Sequence, residues 1–260
     1  RNFPVLCHIR YIFESIRPEI QQYFIESDEE ASPFSRAMRS TIYQRSKSQD
    51  DTRALGTRRD VYAEGYEWGA HSMWPVDDKT VRARVMIGEG EMSSCTQPYS
   101  ASIYNISAMS FGALSSNAVS ALNLGAKSGG FYHNTGEGGL SAFHLLGGDV
   151  VWNIGTGYFA CGDSSGPNNS RRFNEEMFIG NATKPTVKMI EVKLSQGAKP
   201  SHGGILPAKK ITQTISDARG LGPGPWLHDC VSPPKHTAFS SPKGLIKFVD
   251  RLRKLSGGKP

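Results

Sequence analysis

The sequence has no run of about 18 apolar residues, which excludes a membrane-spanning helix within it. Cysteine is scarce: Cys7, Cys95, Cys161 and Cys230 stand far apart, and no two share the C-x-x-C spacing of a zinc or redox motif. They read as reduced thiols of a cytoplasmic protein and exclude a disulfide scaffold. Lys and Arg exceed Asp and Glu by 30 to 24, a formal charge of +6. The excess is spread along the chain, and no basic cluster interleaves with aromatics, so a nucleic-acid partner is not expected. An anionic ligand or a membrane surface would account for that charge equally well. Internal repeats and low-complexity tracts are also missing.

What is present suits a globular enzyme. Hydrophobic residues make up 38% of the chain and aromatics 10%, enough for a real core. Its 260 residues match the roughly 250 typical of one TIM barrel. Residues 1–27 carry Ile9, Ile12, Phe13, Ile16, Ile20, Tyr23 and Phe24 at three- and four-residue steps, which predicts an amphipathic helix kinked or divided at Pro18. That helix reads either as one packed on a catalytic domain or as a membrane-proximal segment. Residues 27–51 are polar, with Arg36, Arg39, Arg45 and Lys47 as a solvated face. Tyr62, Tyr66, Trp68 and Trp74 form an aromatic stretch expected to cover one end of a barrel. Residues 81–87 alternate like a strand. The chain opens on Arg1 and not on methionine, which reads as a segment removed upstream.

The chain is organised around residues 105–139, NISAMSFGALSSNAVSALNLGAKSGGFYHNTGEGG. Ile106 and Ala108 belong to a short strand, and Ser115 or Ser116 can cap the helix that follows. Ala118, Val119, Leu122 and Ala126 form its buried stripe, and Gly129-Gly130 ends it. A second strand starts at Phe131-Tyr132-His133. Two strands joined through a helix run parallel, so their C-terminal ends share one face. Met109-Ser110 and residues 134–139 are therefore expected side by side there, with small residues admitting a flat ligand close to the backbone.

Further on, residues 150–154 and 158–161 flank Gly155-Thr156-Gly157 and read as a hairpin, and residues 173–179 as a short helix. Asp149 and Asp163 in this excursion are read as solvated turn residues ahead of any metal role. Residues 187–194, VKMIEVKL, alternate as a third barrel strand and end at Gln196-Gly197-Ala198-Lys199-Pro200. Helices follow over residues 211–219 and 243–255, the latter behind Ser241-Pro242. With three barrel strands visible, and a last helix that should feed a fourth, the chain reads as the N-terminal half of a barrel. His133, His202 and His236 lack a second ligand at metal spacing and read as polar loop residues.

ISAMSFGALS, HNTGEGG, KLSQGAKPSHGG and CVSPPKH, in that order, resemble the FMN-binding domain of glutamate synthases, and most of all the stand-alone proteins of that family that carry no glutaminase domain. The resemblance covers essentially the whole chain. It implies an α/β protein with a TIM (β/α)8 barrel, of which residues 101–260 are the first part, behind a helical and extended region, residues 1–100, packed on the barrel. The implied activity is FMN-dependent reductive amination of 2-oxoglutarate to L-glutamate with free or glutamine-derived ammonia; the electron donor is left open. Ala108, Met109 and Ser110 match the segment lying against the flavin ring, and Asn134 belongs to the same cofactor wall. Lys199 matches a lysine that contacts both the flavin N1–O2 edge and the substrate carboxylate, where a fixed cation stabilises the negative charge of reduction. Glu137 matches an acid on the path of ammonia.

Relatives of this kind often carry an upstream hydrophobic anchor, which would make a cytoplasmic protein membrane-associated. Ligands for an iron-sulfur cluster would come only after residue 260. Three departures touch function. Ile205 replaces a glutamine that offers the flavin a hydrogen bond, Lys235-His236-Thr237-Ala238 replaces Pro-His-His-Asp, and Lys243 replaces an acid implicated in glutaminase coupling. Two other readings stand beside the first: an FMN barrel oxidoreductase acting on a different small acid, and a non-catalytic scaffold or partner subunit.

Overall fold

The computed structural model describes residues 3, 5–50, 60–77, 83–91, 93–163, 171–197 and 202–260. The chain divides into two compact units, Arg1–Pro75 and Val76–Pro260.

In the first unit, α1 (Leu6–Ile20) has no buried residue, and Pro18 lies inside it without dividing it. The irregularity comes after the proline, as a π-helical turn over Gln21–Ile25. A second helix, α2 (Arg36–Ser46), was not legible in the sequence, because its few apolar residues do not outweigh the arginines. The Ser35 hydroxyl accepts from the Met38 N–H at 3.4 Å and caps it, and Arg39 pairs with Glu26. Tyr62, Trp68 and Trp74 are exposed, in a stretch without helix or strand.

The second unit opens with β1 (Arg84–Ile87) antiparallel to β2 (Tyr99–Ser102). Next comes α3 (Ser116–Gly129), capped by the Ser115 hydroxyl on the Ala118 N–H at 3.2 Å and ended by Gly130 at φ 66°. Its buried residues are Val119, Asn123 and Ala126. Asn123 lies outside the expected stripe and is needed there, since its Oδ1 accepts from the N–H groups of Leu146 and Gly148 at 3.0 and 3.2 Å.

The strands β3 (Tyr132–Asn134), β4 (Asp149–Ile154) and β7 (Val187–Val192) form one parallel sheet in that order. Ile106 adds a parallel bridge to His133, with backbone bonds of 3.0 and 3.1 Å to the flanking residues. Four parallel segments thus follow chain order, and the sheet is not closed among the described residues.

This corrects the expected hairpin. Residues 150–154 are a central strand, and Tyr158 and Ala160 take left-handed φ of 46° and 67°, which no strand adopts. Val150, Trp152 and Ile154 are fully buried, and Trp152 stacks on Phe178 at 5.5 Å. Phe178 sits on α4 (Glu175–Ala182), which follows a two-residue ribbon of β5 (Gly162–Asp163) and β6 (Arg172–Phe173). The supposed excursion is therefore a further strand–helix repeat. Phe248 and Leu252 of the last helix, α6 (Pro242–Leu255), complete the same core.

A second cluster gathers Phe111, Val119 and Leu206 with Ile215 and Ala218 of α5 (Gln213–Arg219). Leu206 comes from β8 (Ile205–Leu206), which pairs with β9 (Cys230–Val231). Both late helices are capped by a hydroxyl: that of Ser241, as expected, accepts from the Gly244 N–H at 3.1 Å, and that of Thr212 from the Ile215 N–H at 3.3 Å. Beyond α6 the chain turns back to the sheet, and the Ile190 N–H donates to the Pro260 carbonyl at 3.0 Å.

Candidate active site at the carboxyl ends of the strands

The loops after β3, β4 and β7 converge at one end of the sheet. Gly136 touches the Met109–Ser110 backbone so closely that an added Cβ would lie 2.7 Å from Met109 C and Ser110 N. At Gly138 it would lie 2.8 Å from the Phe111 carbonyl oxygen. The expected side-by-side placement of the two segments is realised, and only glycine allows it. Ala108 is exposed there, and Met109 and Ser110 are half-buried.

Asn134 is buried and tied twice. Its Oδ1 accepts from the Gly136 N–H at 3.0 Å, and its Nδ2 donates to Glu191 Oε1 at 3.1 Å. Asn153 donates to the same Glu191 oxygen, and its own Oδ1 is buried without a partner among the described residues.

Glu137 is the centre of the arrangement. Its side chain is 15% exposed, and Gln196 Nε2 reaches both carboxylate oxygens, at 2.9 and 2.8 Å. Lys193 Nζ stands 3.4 Å from Oε2 and donates to Gln196 Oε1 at 3.2 Å. The carboxylate is seated between Gly155 and Gly204, where an added Cβ would approach to 3.0 and 2.6 Å. A carboxylate so held, by one cation and one amide, is fixed in direction. Lys199 lies outside the described residues.

Two of the histidines read as loop residues are core groups. His133 is fully buried on β3 against His144, ring to ring at 5.2 Å. Burial pushes the His133 pKa down to about 4. Burial and then His133 push that of His144 to about 3. His236 is buried as well, because the rigid loop carrying it folds under the turn after β4, and its ring nitrogens meet the Tyr158 hydroxyl and the Lys193 carbonyl. Asp149 accepts from the Tyr99 hydroxyl at 2.8 Å at the opposite, N-terminal end of the strands, beside a cavity of about 730 Å³. Asp163 accepts from Asn174 Nδ2 at 2.9 Å.

Sequence reasoning missed Lys193, Gln196 and Arg219. Lys193 was counted as one of the alternating charges of its strand. Gln196 was read only as the residue ending that strand. Arg219 was placed at a helix end, yet it is 7% exposed. It stacks over Phe159 at 4.8 Å and reaches the Phe111 carbonyl at 3.4 Å, with its Nε–H buried and without a partner among the described residues. The available signal was position, since Lys193 and Gln196 follow shortly after β7 and Arg219 is the last residue of α5.

Residues 75–260 match the family model described as the conserved region in glutamate synthase. Among curated proteins, the chain is similar to the glutamate synthase large subunit-like protein YerD of Bacillus subtilis (strain 168), 31% identical over 299 aligned positions, covering 100% of this chain and 55% of that protein. It is similar to the archaeal glutamate synthase (NADPH) of Methanocaldococcus jannaschii, 32% identical over 155 residues, 59% of this chain and 26% of that protein. The archaeal-type glutamate synthase (NADPH) of Thermotoga maritima is 35% identical over 147 residues, 56% of this chain and 25% of that protein. The chain thus spans about half of the first relative and about a quarter of the other two. With a match running from residue 75 to 260 and the glycine-lined carboxylate in its midst, the chain belongs to the family defined by the conserved region in glutamate synthase.

Proposed function

We propose that this chain is the first half of an FMN-binding TIM barrel, and that the protein containing it reductively aminates 2-oxoglutarate to L-glutamate. Four parallel segments in chain order support the barrel, with the site at their carboxyl ends as in such enzymes. The observation carrying the reaction is Glu137, held by Gln196 and Lys193 beside the half-buried Met109–Ser110 backbone. A fixed carboxylate suits the binding of ammonium or an imine nitrogen, and nearby cations suit a dicarboxylic acid.

The residues present fit the ring portion of FMN. Met109–Ser110 offer a backbone wall against Gly136, whose N–H Asn134 holds, and Lys193 supplies a cation at Glu137. Lys199 is proposed as a second cation, toward the flavin edge or the substrate carboxylate. When bound, FMN would supply the hydride. Arg219 would hold carboxylate charge, and Glu137, with Lys193 engaged on it, would orient nitrogen.

The test is to express the longer protein containing this chain, measure flavin absorbance per polypeptide, and assay glutamate formation from 2-oxoglutarate, ammonia and a chemical reductant. A colourless protein rejects the flavin reading. A yellow protein that forms no glutamate favours a second reading, an FMN oxidoreductase for another small acid. The observation behind that alternative is Ile205, whose apolar side chain is 65% exposed where the resemblance calls for a glutamine.

A further inference from the structure

We infer that His236, together with Tyr158, is a positioning residue that fixes the end of β7 and so aims Lys193 at Glu137. The hydrogen bonds determine their own directions. The Lys193 carbonyl can only accept, so His236 Nε2, 2.8 Å away, carries the proton. Burial lowers the His236 pKa and keeps the ring neutral, so Nδ1 is an acceptor. Tyr158 therefore donates its hydroxyl proton to Nδ1 at 2.9 Å, and its oxygen accepts from the Ala238 N–H at 3.1 Å. Both side chains are satisfied and shielded: Tyr158 is fully buried, His236 is 4% exposed, and Phe239 stacks on the imidazole at 4.8 Å.

What this pair grips is specific. The Lys193 N–H already donates to the Ile154 carbonyl at 2.9 Å, so the His236 bond fixes its second backbone group. Lys193 is also the residue whose side chain closes on Glu137 and Gln196, at 3.4 and 3.2 Å. Its backbone is held from one side and its ammonium is spent on the other. The left-handed φ of 46° at Tyr158 belongs to the same device, since it brings that side chain under the loop after β9.

The inference deepens the proposed function, because it concerns how the same site is held. Its test uses the full chain and does not require turnover. Trace acetylation with limiting acetic anhydride, read lysine by lysine by mass spectrometry, reports how firmly each ammonium is engaged. His236→Ala should raise Lys193 labelling by about fivefold, the scale of one lost hydrogen bond. His236→Gln, which can still offer an amide N–H to the Lys193 carbonyl, should stay within about twofold of the parent. Tyr158→Phe serves as a second variant and should raise Lys193 labelling in the same direction. Lys259, which is 7% exposed and donates to the Ala182 and Lys184 carbonyls, should not change.

Unchanged Lys193 labelling in His236→Ala and Tyr158→Phe overturns the inference. So does a parallel rise at Lys193 and Lys259, which would mark general loosening. If the parent protein makes glutamate, His236→Ala should also lower kcat/KM, and His236→Gln should restore it. A parent that makes none rejects the proposed function and leaves the labelling result to decide this inference alone.

Discussion

Acid should destabilise the second unit through its buried histidine pair well before carboxylates titrate. His133 and His144 are fully buried with rings 5.2 Å apart. The Ser141 N–H donates to His144 Nδ1 at 3.2 Å, and both His133 nitrogens and His144 Nε2 lack partners among the described residues. A proton on either ring would be a buried charge beside a second imidazole. Their folded pKa values of about 4 and about 3 lie below the ordinary 6.5. The unfolded chain therefore binds protons first as pH falls, and stability drops from about pH 6.5 toward the folded values.

Each group loses up to about 1.4 kcal/mol per pH unit inside that window. Between pH 7 and 5 the pair should cost about 4 kcal/mol, a large part of the roughly 5–15 kcal/mol that holds a domain together. Urea unfolding at pH 7, 6 and 5, followed by the fluorescence of the buried Trp152, measures it. In a His133→Leu, His144→Leu double variant the slope should shrink to what His236 contributes, since burial lowers that pKa too. A parent protein equally stable at pH 7 and 5, or a double variant with an undiminished slope, would refute the reasoning.

Other outcomes follow from the same structure and the proposed activity. In the longer protein Lys199→Met should lower steady-state turnover by about a hundredfold with the fold intact, the usual loss for one preorganised electrostatic contact; a variant within a few-fold of the parent removes Lys199 from the mechanism. With no glutaminase partner, and Lys243 in place of the coupling acid, the protein should use free ammonia, so glutamate formation from glutamine under an ammonia scavenger should be negligible. Trp152→Ala should cost about 3–5 kcal/mol in urea unfolding, because it empties a fully buried site stacked on Phe178. Glu137→Gln should free Lys193 from its ion pair, raising its acetylation and lowering turnover together; unaltered turnover would take the carboxylate out of the site.

Much of this chain is determined by sequence alone, wherever the physics is local. The caps at Ser115 and Ser241 and the left-handed Gly130 each act within one helical turn, so their residue types announce them. The juxtaposition of Met109–Ser110 with residues 134–139 was also legible, because a strand–helix–strand unit leaves its two parallel strands no other arrangement. Tertiary structure decided the rest. An apolar run such as VVWNI fits a hairpin arm or a doubly covered strand equally well, and it was the pairing with β3 and β7 that chose. Asn123 and His133 are polar residues whose burial depends on what packs over them. Lys193 and Gln196 meet Glu137 from a distance of up to 59 residues along the chain. No periodicity records such a contact, because loop closure across the sheet, and not the local backbone, brings those groups together.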